Sequence, residues 1–142
     1  MTSPYPKPTA GDVVLCKFPQ DLRSPSPGPK SRPAIILKVF EPAASAPATF
    51  RVQVCYATTN RQRLFDHEFE ITRAGHAVEF ESAGLSGDTK FDLLQSVLVP
   101  YDSDWFELPN FPQYGPVPKL GILHPLSVPR LLRAQRAAER LR

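Results

Sequence analysis

Small polar and basic side chains occur at three places where an apolar run meets a loop-forming segment. They are Lys30 and Arg32, then Thr58, Thr59 and Asn60, then Thr89 and Lys90. Guanidinium, ammonium, hydroxyl and amide groups all donate hydrogen bonds to phosphate oxygens, and arginine can bind two oxygens at once. The pattern therefore favours a phosphate-binding site. The competing interpretation is that the threonines and Asn60 satisfy backbone groups in turns, as such residues usually do.

The loop before Arg32 is long and rich in proline. It covers residues 19–31 and leads directly into the apolar run RPAIIL. A loop of this length in a compact domain is usually functional or disordered, and proline restricts its backbone. Because binding and catalysis need groups in fixed positions, a stiff loop favours a functional role for Lys30 and Arg32.

Short strands must position these residues. There are 17 prolines among 142 residues, and proline is excluded from helix interiors and central strands. Apolar and β-branched runs predict strands at residues 11–18, 32–40, 49–60, 67–72, 96–101 and 119–123. One clear helix is predicted at 127–142, with Ser127 as its cap and Pro129 in its first turn.

These elements predict one mainly β domain over residues 1–142. We expect a loosely ordered lead at 1–10, a small barrel or strongly bent sheet at 11–126, and a C-terminal α-helix at 127–142. No run of about 18 apolar residues is present, so no membrane-spanning helix is predicted. The N-terminal residues contain no apolar signal segment, which predicts a cytoplasmic protein.

The cysteines and histidines give no metal-binding pattern. Cys16 and Cys55 each lie in a strand-like run, and we predict that both are free thiols. The two cysteines and three histidines are scattered without the spacing of metal ligands, so no metal or other cofactor is expected.

Positive charge is concentrated at the C-terminus. Residues 130–142 contain five arginines and one glutamate, whereas the rest of the chain is close to neutral. The predicted helix either docks its leucines (Leu131, Leu132 and Leu141) on the barrel and leaves the arginines in water, or uses them to attract RNA or an acidic partner segment. The first outcome is the commoner one.

Five segments occur in an order that resembles a known family. They are GDVVLCKF, RPAIIL, CYATTN, AGLSGDTKFDLLQSVLVP and KLGIL. Over about residues 10–126, the chain resembles the PemK/MazF toxins of bacterial toxin–antitoxin pairs, and PGPKSRP resembles the variant with a proline-rich first loop. The resemblance implies an SH3-like β-barrel and a cytoplasmic homodimer. It also implies a ribonuclease acting on single-stranded RNA and a cognate antitoxin protein as partner.

The resemblance also assigns roles to residues of this chain. Arg32 and Thr58 match the catalytic positions, Thr59 the neighbouring hydroxyl, and Thr89 and Gln95 the later motif. Lys30, Asn60 and Lys90 are expected to bind RNA beside them. The chain departs from the family pattern at Pro27 and Gly28 in the first loop, and at Val97, where many members carry arginine. These departures predict a different RNA sequence preference, or an activity that is weakened or lost.

The chemistry of RNA gives a compatible account of the same residues. RNA can be cut by attack of its own 2′-OH, which DNA lacks, and this reaction does not require a metal. The enzyme must then hold the phosphate in line and stabilise the charge that develops, which we assign to Arg32 with Thr58 beside it. His67 and Asp92 are the candidate general bases, although each has an equally ordinary structural explanation. Tyr56, Phe91 and Trp105 are candidates for stacking on bases.

Three alternatives stay open at the level of sequence. The first is a non-catalytic barrel, derived from such a toxin, that binds RNA or a partner. The second is a toxin directed at DNA gyrase, as in the related CcdB branch. The third is a small β-barrel with structural prolines and no site, because fold alone does not determine function.

Overall fold

Six antiparallel strands form one curled sheet in the computed structural model, which describes residues 1–142. The strands are β1 (Asp12–Cys16), β2 (Arg32–Phe40), β3 (Arg51–Thr58), β4 (Glu68–Ile71), β5 (Thr89–Pro100) and β6 (Lys119–Ile122). Their order across the sheet is β4-β5-β3-β2-β1-β6. Two helices, α1 (Ala77–Ser82) and α2 (Val128–Leu141), complete the fold, with a 3-10 turn at Pro125–Ser127 before α2. The predicted mainly β fold with a C-terminal helix is confirmed.

Strand β5 begins at Thr89, well before the predicted strand at 96–101. The first half of β5 carries charged residues and no simple alternation, because the strand shifts its register against β3. Cys55 lies opposite Ser96, whereas the next residue, Tyr56, lies opposite Asp92. Residues 93–95 therefore have no partner on β3 and form a wide bulge. Helix α1 is a second difference, since six residues are too short to give a helical pattern in the sequence.

The curled sheet is buried on both faces at its centre. Val13 of β1 and Ile35 of β2 contribute to one apolar core, which α1 and α2 cover. The adjacent residues Val14 and Ile36 point the other way into a second core. Each fully buried aliphatic side chain stabilises the fold by about 1.5–3 kcal/mol, so the central strands contribute to stability through both of their faces.

The N-terminal lead contacts the end of β5. Residues 1–10 are expected to be loosely ordered, yet Tyr5 donates its backbone N–H to the carbonyl of Tyr101 at 3.1 Å. The two tyrosine rings also lie 5.4 Å apart between centroids, and Pro4 forms a bridge with Asp102. These contacts join the lead to the side of the sheet that holds the second core.

Helix α2 packs its small residues and Leu131 against the first core and exposes Leu132 and Leu141. Arg133 and Arg136 are exposed and make no hydrogen bond, whereas Arg142, directly after the helix, donates from Nη2 to the carbonyl of Leu93 at 2.7 Å. The helix is therefore attached at its far end to the bulge of β5. No helix in the fold combines the length and apolar character that crossing a membrane requires.

A buried polar cluster attaches the start of α2 to α1. The Ser127 hydroxyl donates to Oε2 of Glu79 at 2.5 Å, and Arg130 Nη2 lies 2.7 Å from the same oxygen. Arg130 also donates to the backbone carbonyl of Glu70 at 3.2 Å, which adds β4 to the cluster. Burial acts to raise the pKa of Glu79, but the hydrogen bonds from Ser127 and Arg130 outweigh it, so the pKa lies below its usual value.

We expect Ser127→Ala to lower the free energy of unfolding by about 1–3 kcal/mol, because a buried carboxylate loses one of its two donors. Urea unfolding followed by circular dichroism measures this change. Ser45→Ala is the control, since Ser45 is exposed in the loop between β2 and β3 and makes no side-chain hydrogen bond. Equal effects of the two substitutions would show that the cluster does not hold α2.

The Glu79 carboxylate should also make stability depend on pH. Because its pKa is lower in the folded state, ionised Glu79 stabilises the protein above the unfolded pKa of about 4.3, and this contribution is lost as pH falls through the folded pKa. We expect the stability difference between the wild type and Glu79→Gln to shrink on acidification below about pH 4.3. Glu81→Gln, an exposed change on the same helix, should show no such convergence.

Candidate functional site

Three cavities adjoin around the end of β3. The largest, about 360 Å³, is lined by the proline-rich loop together with Arg32, Tyr56 and Gln95. A second cavity of about 330 Å³ shares Tyr56 and Gln95 with it and adds Thr58. A third of about 230 Å³ shares Arg32 with the first and Thr58 with the second. These four shared residues join the cavities into one concave surface, which we call the site groove.

The eight residues that the family resemblance marks as catalytic or RNA-binding all line the site groove. Those at the shared walls are Arg32, Thr58 and Gln95, and the others are Lys30, Thr59, Asn60, Thr89 and Lys90. The sheet order explains this convergence, because β2, β3 and β5 are neighbours and their loop ends lie side by side. The functional roles of these residues stay predictions. The residues differ in the hydrogen bonds and ion pairs that they already make within the chain.

Arg32 is held at the first position of β2. Its backbone lies opposite Cys16 of β1, and the following Pro33 restricts Arg32 to an extended conformation. The preceding loop is pinned to the end of β1, since Gly28 donates its N–H to the carbonyl of Lys17 at 3.0 Å. A Cβ on Gly28 would overlap the carbonyl oxygen of Phe18, so this approach requires glycine.

The Arg32 guanidinium makes no hydrogen bond or ion pair within the chain, although it is half-buried between two cavities. Lys30 is exposed beside it and is also without a partner. A positive charge at this place is therefore available to an anion from outside the chain. The unused donors of Arg32 suit a phosphate, whose oxygens guanidinium binds in a bidentate manner.

The hydroxyl and amide groups partly form turns, as the competing interpretation holds. Thr58 Oγ1 accepts from the N–H of Asn60 at 3.1 Å, which leaves the Thr58 hydroxyl proton free to donate into the site groove. Thr89 is almost fully buried and donates its hydroxyl to the carbonyl of Gly87 at 2.8 Å. Thr58 thus keeps a donor for a ligand, whereas the Thr89 hydroxyl is used within the chain.

Lys90 is already paired. Its ammonium lies 2.9 Å from a carboxylate oxygen of Glu68 and donates to the carbonyl of Arg63 at 2.8 Å. The two paired side chains are only 11% and 5% exposed, so this is a buried ion pair. The cations lining the groove therefore differ, since Lys90 is neutralised and Arg32 is not.

Asp92 is the centre of a second polar network. Its Oδ1 lies 2.9 Å from Nδ1 of His67 and accepts from the N–H of Leu94, while its Oδ2 accepts from Nε2 of Gln95 at 2.9 Å. The bulge of β5 makes these contacts possible, because it places Leu94 and Gln95 next to the Asp92 side chain. The two candidate bases, His67 and Asp92, are thus bound to each other.

His67, Glu68 and Asp92 also form a group with potential metal-ligand atoms within 4.8 Å of one another. The sequence gives no such signal, because these residues meet only when β4 pairs with β5. Both carboxylates already have partners. Glu68 is paired with Lys90, and Asp92 contacts His67 and Gln95. The contacts therefore describe an ion-pair and hydrogen-bond network.

Sequence reasoning missed several residues of the site groove. Gln20 comes from the proline-rich loop, and Gln62 and Arg63 come from the loop after β3. Nothing in their sequence context distinguishes them from other loop residues. Of the three stacking candidates, only Tyr56 lines the groove. Phe91 is fully buried in the first core, and Trp105 packs against the second core.

The two cysteines are buried and free, and neither lines the site groove. Burial raises the pKa of Cys55 to about 12, so this thiol stays protonated at neutral pH. Burial also raises the pKa of Cys16. Thiol chemistry is therefore not part of the candidate site.

The sequence matches no protein-family model and no curated protein. Two solved structures share the fold over nearly the whole length of the chain. One is an endoribonuclease in complex with its cognate antitoxin from a mycobacterial species, at 18% identity and a TM-score of 0.56, covering 95% of this chain and 97% of that chain. The other is a mycobacterial endoribonuclease at 16% identity and a TM-score of 0.54, covering 94% and 92%.

Because Arg32 is unpaired and Lys90 is paired, replacing each of them by methionine should change the free energy of unfolding by different amounts. We expect Arg32→Met to change the free energy of unfolding by less than about 0.5 kcal/mol, because no partner is lost. Lys90→Met should cost about 3 kcal/mol, because Glu68 stays buried without its cation. Thermal and urea unfolding of both variants measure the difference, and a large loss of stability in Arg32→Met would contradict the assignment of a free cation.

Proposed function

We propose that this chain is the toxin of a toxin–antitoxin pair and that it cuts single-stranded RNA, such as mRNA, without a metal. The observation that carries the proposal is the unpaired Arg32 guanidinium, which lies between cavities that hydroxyl and amide groups also line. The fold supports it, since the two similar structures are endoribonucleases and one is bound to its antitoxin.

In the proposed reaction, the 2′-oxygen of one nucleotide attacks the adjacent phosphorus. The bond from phosphorus to the 5′-oxygen of the next nucleotide breaks as the new bond forms. The 2′-OH gives up its proton and the leaving 5′-oxygen takes one, so the products are a 2′,3′-cyclic phosphate and a 5′-OH end. The RNA supplies its own nucleophile, and the protein supplies position and charge.

Arg32 is proposed to bind the non-bridging phosphate oxygens and to stabilise the charge that grows on them. Its position is fixed by Pro33 and by the pinned loop, so little reorganisation is needed when the charge develops. Thr58 is proposed to donate its free hydroxyl proton to the same phosphate. Lys30, Thr59 and Asn60 would bind flanking nucleotides, because they are exposed along the groove.

General base catalysis has weaker support. Two carboxylates line the groove, Glu68 and Asp92, and both are already engaged by other side chains. Loss of a general base typically costs about 10²–10⁴-fold in rate, which a slow nuclease can tolerate. This observation also favours the second candidate function, a barrel that binds RNA or a partner without cutting it.

We further propose that the protein forms a homodimer in the cytoplasm and that its antitoxin covers the site groove. An antitoxin segment that carries acidic side chains would satisfy Arg32 and Lys30 in place of RNA phosphates. Salt-dependent inhibition by such a segment follows from this arrangement, because exposed charges are screened at high ionic strength.

Cleavage of a mixed-sequence single-stranded RNA in EDTA tests the proposed function. We expect the wild type to release fragments with 5′-OH ends, and to leave uncut an RNA with 2′-deoxy substitutions at the cleavage sites. Arg32→Ala should lower the rate by about 10²–10³-fold, because it removes the main donor to the developing charge. Thr58→Ala should lower it by about tenfold, the worth of one hydrogen bond.

Lys38→Ala is the matched control, since Lys38 is an exposed cation on the same strand outside the three cavities. It should cut at the wild-type rate. Cleavage that appears only with added Mg²⁺ or Mn²⁺ would contradict the metal-independent reaction. RNA that is bound but stays intact under all conditions would favour the non-catalytic candidate instead.

A further inference from the structure

The orientation of the Gln95 side-chain amide is fixed by its hydrogen-bond partner. Its amide contacts Oδ2 of Asp92 at 2.9 Å, and an ionised carboxylate only accepts hydrogen bonds. The amide nitrogen must therefore face Asp92, and the amide oxygen Oε1 must face away from it. Gln95 is exposed and lines the largest cavity, so its amide oxygen, which Asp92 does not engage, is an acceptor that it can offer to a ligand there.

The rest of that cavity has the composition of a nucleotide site. Tyr56 lines one wall, with its ring packed against Phe18 at 5.3 Å between centroids and tilted by 58°. Gln20 adds a second exposed amide that makes no hydrogen bond within the chain. Arg32 and Lys30 line the same cavity with two unpaired cations.

We propose that this cavity binds one nucleobase of the RNA substrate, stacked on Tyr56, with Gln95 Oε1 accepting an N–H from the edge of the base. The inference rests on the proposed function, and it adds a specificity-determining subsite to it. A volume of about 360 Å³ lies within the range of ordinary small-ligand pockets. Every base has a face for stacking, whereas only an edge with an N–H in the right place satisfies a fixed acceptor.

The neighbouring charges favour a nucleotide over an uncharged aromatic ligand. Arg32 belongs both to this cavity and to the next one, so a phosphate bound there would follow directly after the base in the cavity. An aromatic wall, polar amides and adjacent cations match the three parts of a nucleotide that proteins recognise, namely its base face, its base edge and its phosphate.

Asp92 is a positioning residue in this arrangement. It does not touch the base but holds the Gln95 amide in one of two orientations, and His67 fixes Asp92 in turn through the 2.9 Å contact. Without the carboxylate, the amide of Gln95 is free to rotate and to offer a donor in place of its oxygen. The base preference at this nucleotide therefore depends on Asp92, which contacts Gln95 and not the base.

The experiment measures binding and cutting separately. Binding of the wild type to short single-stranded oligonucleotides with 2′-O-methyl sugars, which cannot be cut by the 2′-OH, is titrated by fluorescence anisotropy with each base at each position. The preferred base is then replaced by an analogue that lacks the relevant N–H. The same base series in ordinary RNA is scored for cleavage.

We expect one position to show a base preference that Gln95→Met reduces by about two- to tenfold, because one hydrogen bond is lost. The analogue without the N–H should bind the wild type as weakly as the normal base binds Gln95→Met. Asp92→Asn should change which base is preferred at that position, which a merely structural role of Asp92 would not do. Because Gln95 is exposed, Gln95→Met keeps the test valid even if Asp92→Asn folds poorly.

The experiment distinguishes a failure of the base subsite from a failure of the proposed function. RNA cleavage or binding whose base preference is the same in the wild type and Gln95→Met would overturn the subsite and leave the proposed function intact. Tyr56→Leu should weaken binding of all bases at that position, and unchanged binding would also overturn it. A wild type that neither binds nor cuts any of the oligonucleotides would overturn the proposed function and the subsite together.

Discussion

The register shift between β3 and β5 is the constraint on which the rest of the structure depends. Three residues of β5, Leu93, Leu94 and Gln95, fit between the partners of Cys55 and Tyr56. This insertion lets one strand serve two cores, since Leu93 packs in the first and residues from Val97 onward pack in the second. It also turns Gln95 into the site groove, and the carbonyl of Leu93 is where the end of α2 is attached.

The cations of the molecule fall into two groups. Some neutralise buried carboxylates and stabilise the fold, and others have no partner and are available to a ligand. Arg130 and Lys90 each neutralise a buried carboxylate, and removing either would leave that carboxylate at a cost of several kcal/mol. Arg32 and Lys30 have no such partner. An arginine without a partner in a half-buried place keeps its electrostatic potential available to a ligand.

The sequence predicts the elements with strong local signals. Alternation predicts β3, an unbroken apolar run predicts β2, and the helical spacing of apolar residues at 127–142 predicts α2. The predicted side-chain cap is wrong, because the Ser127 hydroxyl donates to Glu79 and not to the helix backbone. The start of β5 and helix α1 have no such local signal, because a bulge breaks the alternation and six residues are too few for a helical period. At the site, residue types at strand ends predict side chains that the fold brings together around one groove, while their roles stay predictions. Contacts between distant segments were beyond reach: the pairing of Lys90 with Glu68 and of Asp92 with His67 requires β4 beside β5.

The proline-rich loop is closed by the contact of Gly28 with Lys17, just after β1, and it enters the sheet at the first pair of β2. Gln20 and its neighbours between Lys17 and Gly28 carry none of the sheet's hydrogen bonds, yet they form part of the wall of the largest cavity. A substitution of Gln20, which is exposed, would therefore alter the wall of that cavity without removing either attachment that positions Arg32. The shape of the cavity and the position of the guanidinium can thus change independently of each other.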